Sequence, residues 1–455
     1  MSSSFTLRVL LIQPPIRDFY RTKFREYPLG LLYLASSLKA AGFIVDILDA
    51  RAEKTEKTAS LPPQLEHLSN YYTRENKLFA NFKHFGMRYN EIAEQVRRIA
   101  PDVVCISSMF TPYVGEVIKT AEVLRKAIPL LFIIAGGSHA TADPSSLMGS
   151  GLFDCVIRGE GEKALPLLLS NIERYRGQVV SLKDDLPFVV DNLDDLPVPA
   201  RELINPKHYV LGKKKYTMLI TSRGCPHRCS FCSTHAVAGF AHRVRQIEHV
   251  LEEISECIDR FGINIFDLQD DNLLHEPERI KKLLDGALTS FEGIEFMATN
   301  GLNAKDLDRE LLGLMKRAGF RKIDLALGTA GAGIRGKLKR PEGMEHYEQV
   351  LSWAEELKLP VTTYVILGLP FQKLREMHDT ICFLQKKNTL IAPSIFYNVP
   401  GMPIFEEMKQ YEYVSHHIAR RSSAFNCFGD DFTRDDIFEL FCKIREYNMR
   451  EMPAT

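Results

Sequence analysis

Three cysteines stand close together in the middle of the chain, in the segment Arg223-Gly224-Cys225-Pro226-His227-Arg228-Cys229-Ser230-Phe231-Cys232. Thiolate is the ligand that iron–sulfur clusters use, and three thiolates from one loop can hold three irons of a cubane 4Fe–4S cluster. The fourth iron is then open to a substrate, as the open position of a catalytic zinc is. Structural zinc is the alternative, with His227 and His235 nearby, but it needs four ligands that usually come as two separated pairs. The spacing therefore favours an iron–sulfur cluster.

The elements on either side of these cysteines form two alternating regions. Over residues 1–180 short apolar runs alternate with helical patterns, which is typical of a doubly wound, Rossmann-like parallel sheet. Residues 181–215 are acidic and contain several prolines, so we expect a linker there. Six further β/α units over residues 216–405 predict a partial (β/α)6 barrel, with the cysteine loop directly after its first strand. Residues 406–455 are expected to form a small helical accessory segment.

Composition narrows the classes of protein that the chain can belong to. Among its 455 residues, 58 Lys and Arg balance 58 Asp and Glu, and this neutrality argues against nucleic acid or an anionic membrane as the partner. No apolar run approaches the roughly 20 residues needed to span a bilayer. The N-terminus lacks the pattern of a signal peptide, so we expect a cytoplasmic protein. Nine cysteines, an odd number, argue against a disulfide framework and fit a reducing compartment.

The cysteine loop, its place after the first strand and the six β/α units resemble the radical S-adenosylmethionine (SAM) superfamily. The resemblance implies that Cys225, Cys229 and Cys232 each ligate iron, and that the amine and carboxylate of SAM chelate the fourth iron. It also implies contacts between SAM and residues further along the chain. These are Phe231 and Gly368 near the adenine, Asp270 and Asp271 near the methionyl amine, and Arg243 or Arg245 near the methionyl carboxylate.

Ordinary structural roles compete with each of these assignments. Phe231 could pack the loop, the two aspartates could lie in a solvated turn, and the arginines could cover an exposed helix face. The chain also departs from the family's pattern at one place. Where many relatives carry a glutamate followed by serine, it has Gly328-Thr329-Ala330, which leaves Thr329 as the candidate for the ribose of SAM.

The first region carries four motifs in order: Pro28–Leu34, Pro101–Val104, Gly136–Thr141 and Arg158–Glu162. Together with the second region, over about residues 6–405, they resemble the cobalamin-binding class of radical SAM enzymes. The resemblance implies a corrinoid at the carboxyl edge of the first sheet. The residues expected to contact it are Pro28, Ser107, Thr111, Gly136, Gly137, His139 and Glu160.

Two motifs of other cofactor-binding domains are absent from this region. No G-x-G-x-x-G follows the first strand, which argues against a dinucleotide. The D-x-H-x-x-G pattern is missing as well, so we expect cobalt without a histidine lower ligand. The alternatives for the two polar candidates are a loop histidine bonded to backbone for His139 and a helix cap for Glu160.

The resemblance implies a C-methyltransferase that acts on an unactivated carbon. One electron, from a donor such as a ferredoxin or flavodoxin, would cleave SAM to a 5′-deoxyadenosyl radical that removes a hydrogen atom from the substrate, and methylcobalamin would supply the methyl group. The substrate could be a small molecule or a peptide or protein side chain. Tyr364 and Tyr397 are candidates for hydrogen donation or substrate orientation, although both could be ordinary core residues.

Three other functions compete with methyl transfer. The same two-domain layout could perform a rearrangement, a cyclisation or an oxidation. Methylthio transfer to tRNA would need three N-terminal cysteines, whereas only Cys105 and Cys155 lie there. A non-catalytic metal- or corrinoid-binding protein would have no use for an open iron. The C-terminal stretch Arg420–Phe425 is expected to shape substrate access.

Overall fold

A computed structural model describes residues 6–20, 27–52, 55–71, 81–181, 187–340, 343–409 and 416–451. The first region forms a parallel sheet of six strands: β1 (Arg8–Gln13), β3 (Ile44–Asp49), β6 (Val103–Ser107), β7 (Phe132–Gly136), β8 (Cys155–Ile157) and β9 (Gln178–Val180). Their order in the sheet is β3-β1-β6-β7-β8-β9. The chain leaves β1 toward β3 on one side and returns to β6 on the other. A crevice for ligands therefore opens at the carboxyl ends of β1 and β6.

Helices cover both faces of this sheet, which explains why its four central strands are apolar without alternation. Val9 and Leu11 of β1 belong to one buried cluster, and Leu10 and Ile12 belong to the other. The first face is covered by α1 (Leu29–Ala40) and α6 (Gly161–Leu169), and the second by α2 (Tyr89–Ile99), α3 (Val114–Ala127) and α5 (Pro144–Met148). The short α4 (Ser138–Ala142) follows β7.

A small antiparallel sheet, which the sequence did not predict, joins the first domain. It pairs β2 (Ile16–Asp18), β5 (Lys83–Phe85) and β4 (Glu56–Thr58) in that order. All three residues of β4 are exposed, so this polar strand has no period-two apolar pattern by which it could be recognised. A 3₁₀ segment, Pro63–Tyr71, also lies in this polar stretch.

The second region forms six parallel barrel strands, and an isolated bridge between Leu302 and Leu325 joins its two three-stranded halves. The barrel strands are β11 (Lys214–Leu219), β14 (Ile265–Leu268), β15 (Glu295–Met297), β16 (Ile323–Gly328), β17 (Val361–Leu367) and β18 (Leu390–Ile395). The helices are α7 (Thr234–Ala238), α8 (Ile247–Phe261), α9 (Pro277–Ser290), α10 (Arg309–Arg317), α11 (Ala332–Lys337), α12 (Met344–Glu356) and α13 (Leu374–Leu384). A short strand, β10 (Val210–Leu211), pairs antiparallel with β11.

The predicted fold class is confirmed: a doubly wound sheet precedes a partial (β/α)6 barrel. The expected linker contains three 3₁₀ turns (Leu193–Asp195, Arg201–Leu203 and Pro206–His208) within irregular backbone, ends in β10 and the start of β11, and its residues 182–186 lie outside the described chain. The expected accessory segment contains α14 (Arg434–Glu451), which packs beside β18, while its residues 410–415 and 452–455 are likewise outside the description. Among the helices of the described ranges, none has the length and apolarity to cross a bilayer.

Candidate active site between the two domains

The cysteine loop leaves the barrel through a short antiparallel pair, β12 (Ser222–Arg223) and β13 (Arg243–Val244). Gly224 follows β12 with a φ of +85°, and a Cβ there would lie 2.1 Å from the carbonyl oxygen of Ala241. Its N–H donates to the Asp271 carboxylate at 2.7 Å. Glycine is therefore required at this position, because the two ends of the loop touch backbone to backbone.

Asp270 binds the residues that lead into the same loop. Its carboxylate accepts hydrogen bonds from the Thr221 N–H and hydroxyl and from the Ser222 hydroxyl, at 3.2, 2.7 and 2.5 Å. Burial raises the pKa of Asp270 above its usual range, and these hydrogen bonds oppose that rise. The pKa of Asp271 is raised for the same reason, with the Gly224 N–H opposing. Both carboxylates thus support the cysteine loop, and their contact with the methionyl amine stays a prediction.

The three cysteines fit an iron–sulfur cluster by their chemistry. All three are free thiols on one loop, and Cys229 is buried whereas Cys225 and Cys232 are half-buried. Burial, and after it the charges of the other two thiolates, raise the pKa of Cys225 to about 11 against an opposing backbone hydrogen bond. Thiolates that share one loop repel one another without a cation, and a metal ion keeps coordinating thiols deprotonated. The donor set therefore suits the cluster that the spacing predicted.

The other residues predicted to contact SAM lie around this loop and at the carboxyl ends of the barrel strands. Phe231 is half-buried, with the Arg340 guanidinium 5.8 Å above its ring. Gly368 follows β17 with a φ of +74°. Thr329 is fully buried, and its hydroxyl lies 3.3 Å from that of Thr380 on α13. These placements leave the three SAM contacts as predictions.

Arg243 and Glu160, predicted to contact two different cofactors, contact each other. The guanidinium of Arg243 donates to both carboxylate oxygens of Glu160 at 2.8 and 2.9 Å, and also to the carbonyls of Val190 and Ala238. Arg245, the second candidate, is likewise paired, with Glu253 at 2.6 Å. The structure thus gives the two arginines buried ion pairs in place of the exposed helix face that was their alternative.

The carboxyl edge of the first sheet has the features of a cofactor cradle. β6 ends at Ser107 and β7 at Gly136. A Cβ on Gly137 would lie 2.8 Å from the Ser108 carbonyl oxygen, whereas one on Gly136 would meet nothing within 4 Å. The buried Ser108 hydroxyl has no hydrogen-bond partner among the described residues. An open, glycine-lined edge with an unsatisfied hydroxyl fits a large polar cofactor such as a corrinoid.

His139 and Thr111 face each other at this edge. The Thr111 hydroxyl lies 3.1 Å from Nδ1 of His139, and Nε2 of the same ring lies 3.0 Å from the Ser146 hydroxyl. Burial, and then the neighbouring His417, lower the pKa of His139 to about 4, so the ring is neutral near pH 7. Pro28 lies elsewhere: it is buried at the start of α1, where its carbonyl accepts from the Leu32 N–H. The expected corrinoid contacts of all three stay predictions.

A cavity of about 300 Å³ lies where the two domains and the C-terminal segment meet. Thr111 and His139 line it from the first domain, and Ser233, directly after Cys232, lines it from the cysteine loop. Tyr397, after the last barrel strand, also lines it. The other tyrosine candidate, Tyr364, instead donates its hydroxyl to the Thr299 carbonyl at 3.2 Å. The structure therefore separates the two candidates: one faces the cavity and the other is engaged within the barrel.

Two further residues of the cavity wall, Asp18 and Arg421, were not identified as a pair from the sequence. Arg421 lies 3.4 Å from the Asp18 carboxylate and donates to the carbonyls of Arg17, Pro112 and Ile418 at 2.7–3.0 Å. Both side chains are almost fully buried. The C-terminal segment is thus tied to the first domain across the cavity. Since 403 positions separate the two residues, no local pattern could have paired them.

Comparison with known families agrees with both cofactor sites. The Radical SAM superfamily model matches residues 219–384, and the B12 binding domain model matches residues 76–169. Among curated proteins, the chain is 27% identical over 409 residues to the cytidylyl-2-hydroxyethylphosphonate methyltransferase of Streptomyces wedmorensis, covering 80% of this chain and 73% of that protein. It is 24% identical over 346 residues to the anaerobic magnesium-protoporphyrin IX monomethyl ester cyclase of Cereibacter sphaeroides, covering 70% and 55%.

A solved structure has the same fold. The radical SAM methyltransferase TsrM from Kitasatospora setae, with cobalamin and a 4Fe–4S cluster bound, superposes with a TM-score of 0.65 at 16% identity. The superposition covers 89% of this chain and 78% of that one. The cysteine loop, the cradle at the first sheet and both matched families lead to one assignment. The chain belongs to the cobalamin-binding class of radical SAM enzymes, which use a 4Fe–4S cluster, SAM and cobalamin.

Proposed function

We propose that this enzyme is a C-methyltransferase that methylates an unactivated carbon of its substrate. The observation that carries the proposal is the shared cavity, because the corrinoid edge and the cysteine loop line the same space of about 300 Å³. A substrate held there would contact both the edge that would hold the corrinoid and the loop that would hold the cluster. When bound, the cluster and SAM supply a carbon radical and the corrinoid supplies a methyl group.

The chain's own residues bind, orient and exclude water in this scheme. Asp270 and Asp271 fix the cysteine loop through the hydrogen bonds described above. Arg421 and Asp18 close the cavity on the side of the C-terminal segment, which keeps water away from a reactive radical. Tyr397 is the side chain that we assign to orienting the substrate or donating hydrogen, because it lies in the wall of the cavity.

The residues of the cavity wall also indicate the size and charge of the substrate. Several of its side chains are apolar, and no arginine or lysine except Arg421 lines it within the described residues. The guanidinium of Arg421 is already engaged by three carbonyls and Asp18. We therefore propose that the part of the substrate that reaches the cavity is small and carries little charge. We further propose a cytoplasmic enzyme that takes its electron from a ferredoxin or flavodoxin.

The test uses the anaerobically reconstituted full chain with SAM carrying a CD₃ methyl group and a chemical reductant. Methyl transfer predicts two products of SAM, 5′-deoxyadenosine and S-adenosylhomocysteine, with the label appearing on the bound corrinoid. The Cys229→Ala variant is the control, since it should lose 5′-deoxyadenosine. Formation of 5′-deoxyadenosine without S-adenosylhomocysteine or label on the corrinoid would contradict methyl transfer.

The second candidate, a radical cyclisation or oxidation, is favoured by one observation. The chain also resembles the anaerobic cyclase named above, over 70% of its length. In that case SAM cleavage to 5′-deoxyadenosine would persist in the same experiment, and S-adenosylhomocysteine would not form. One reaction mixture thus separates the two candidates.

A further inference from the structure

Four charged residues form a buried cluster between the first domain and the cysteine loop, and we call it the interdomain ion cluster: Glu160, Glu162, Arg223 and Arg243. Arg243 binds Glu160 through both carboxylate oxygens, Arg223 binds Glu162 at 2.7 Å, and Arg223 also approaches Glu160 at 3.5 Å. The side chains are between 6% and 12% exposed. With two acids and two bases the cluster is neutral, as buried charges need to be.

The two arginines stand at the base of the cysteine loop. Arg223 of β12 and Arg243 of β13 are direct cross-strand partners. Like charges placed opposite each other in an antiparallel pair are destabilising. The base of the loop therefore depends on acids from outside it, and the carboxylate of Glu160 lies near both guanidinium groups. Since Arg223 is two residues from Cys225, movement of this pair moves the first cluster ligand.

The two glutamates stand at the corrinoid edge of the first domain. They follow β8, the strand that pairs with β7 and its terminal Gly136. Glu160 is fixed by its backbone, which donates to the Phe188 carbonyl at 2.7 Å, and by its side chain, which accepts from the Val190 N–H at 2.5 Å. Burial favours the neutral acid, but the Arg243 hydrogen bonds and the Arg223 charge outweigh it, so the pKa of Glu160 lies below its usual range.

A second contact holds Arg223 to the same domain. Its guanidinium lies 5.1 Å from the ring centre of Tyr33 on α1. The planar fork of Arg243 fixes direction as well as distance, because both of its outer nitrogens bind one carboxylate. The Arg243–Glu160 and Arg223–Glu162 pairs that join the loop to the corrinoid domain are thus short and shielded from water, and the first is also directional.

From this geometry, we infer that Glu160, Glu162, Arg223 and Arg243 are positioning residues that set the separation between the iron–sulfur cluster and the corrinoid. The inference rests on the two resident cofactors and requires no particular reaction. Loss of one partner releases the base of the cysteine loop from the corrinoid edge, so that the two cofactors no longer keep a single separation. Such a change substitutes none of the predicted ligands Cys225, Cys229 and Cys232, so the cluster can still be loaded.

The experiment measures that separation directly in the anaerobic, fully reconstituted full chain. Pulsed electron paramagnetic resonance reports the magnetic interaction between the reduced cluster and cob(II)alamin, and it needs neither SAM nor substrate. The variants are Arg243→Met, Arg243→Lys and the double variant Glu160→Gln with Arg243→Met. Arg321→Met is the matched control, because Arg321 pairs with Glu295 on the surface at 3.2 Å.

We expect one narrow distance distribution in the unaltered protein and in Arg321→Met, and a broader one shifted to longer distance in Arg243→Met. Arg243→Lys should restore the distance only in part, because an ammonium lacks the fork. If Arg243→Met does not fold, the double variant carries the test, since it leaves no buried charge of this ion pair unpaired. An unchanged distribution in the variant that folds, with full iron and corrinoid content, would overturn the inference. The distance measurement does not depend on methyl transfer. The proposed function and this inference can therefore be refuted independently of each other.

Discussion

Replacing Gly224 with alanine should remove the iron–sulfur cluster while leaving the barrel folded. The new Cβ would stand 2.1 Å from the Ala241 carbonyl oxygen, whereas such atoms essentially never approach within 3.0 Å. One of the two backbone segments then has to move by about 0.9 Å, several times the tolerance of about 0.2 Å that metal–ligand distances allow. The φ of +85° adds a strain of about 1–3 kcal/mol for a residue with a Cβ.

Gly239→Ala provides the matched control within the same loop. Gly239 also has a positive φ, of +75°, but a Cβ there meets nothing within 4 Å. It therefore carries a backbone strain of about 1–3 kcal/mol without a collision. Comparing the two variants separates the collision from the strain.

The assay is the iron content per chain after anaerobic reconstitution, together with the visible absorption of the cluster and the urea midpoint of the apo-protein. We expect Gly239→Ala to lower the urea midpoint and to bind iron like the unaltered protein, and Gly224→Ala to lower both. Equal iron content in the two variants would refute the reasoning, because the backbone contact at Ala241 would then not control the loop.

Three further predictions address the cavity and its closure. Burial lowers the pKa of His139 to about 4 in the folded protein, against 6.5 in the unfolded chain, so the free energy of unfolding should fall by about 3 kcal/mol as the pH drops from 6.5 to 4. His139→Gln should flatten this pH dependence in urea titrations, and an unaltered pH dependence would show that His139 is not its source. Tyr397→Phe should lower product formation with unchanged stability, whereas Tyr364→Phe should cost about 1 kcal/mol through its bond to the Thr299 carbonyl; equal effects on turnover would remove Tyr397 from its proposed role. Arg421→Met should destabilise the protein by about 3–5 kcal/mol, because it leaves the buried Asp18 without its cation. A decrease of less than 1 kcal/mol in the free energy of unfolding, measured by denaturation, would show that this ion pair is not needed for stability.

Local patterns in the sequence were sufficient for the fold class. The four central strands of the first sheet are buried on both faces, so they appear as continuous apolar runs, and the helical patterns between the strands indicate a parallel sheet. Where the hydrophobic pattern was weak, the sequence did not predict the strand that forms. The exposed β4 has no apolar face and forms only because β5 is brought alongside it.

Individual site residues were harder to assign than the motifs that contain them. Arg243 and Glu160 were each predicted to contact a cofactor; in the structure they bind each other, and their cofactor contacts stay predictions. Both assignments rested on position in a motif, and position in a motif does not say which partner a long charged side chain will reach. Asp18 and Arg421 were missed as a pair because pairing between domains leaves no periodic signal.

The sequence by itself predicted the cluster ligands, because Cys225, Cys229 and Cys232 lie on one short loop and their spacing is a local property. It likewise determined the two alternating regions, whose periodicities are local. Only the tertiary structure decided what lies between them. The cavity, the interdomain ion cluster and the closure by Arg421 all join residues far apart in the chain, and their meeting depends on how two separately built domains pack.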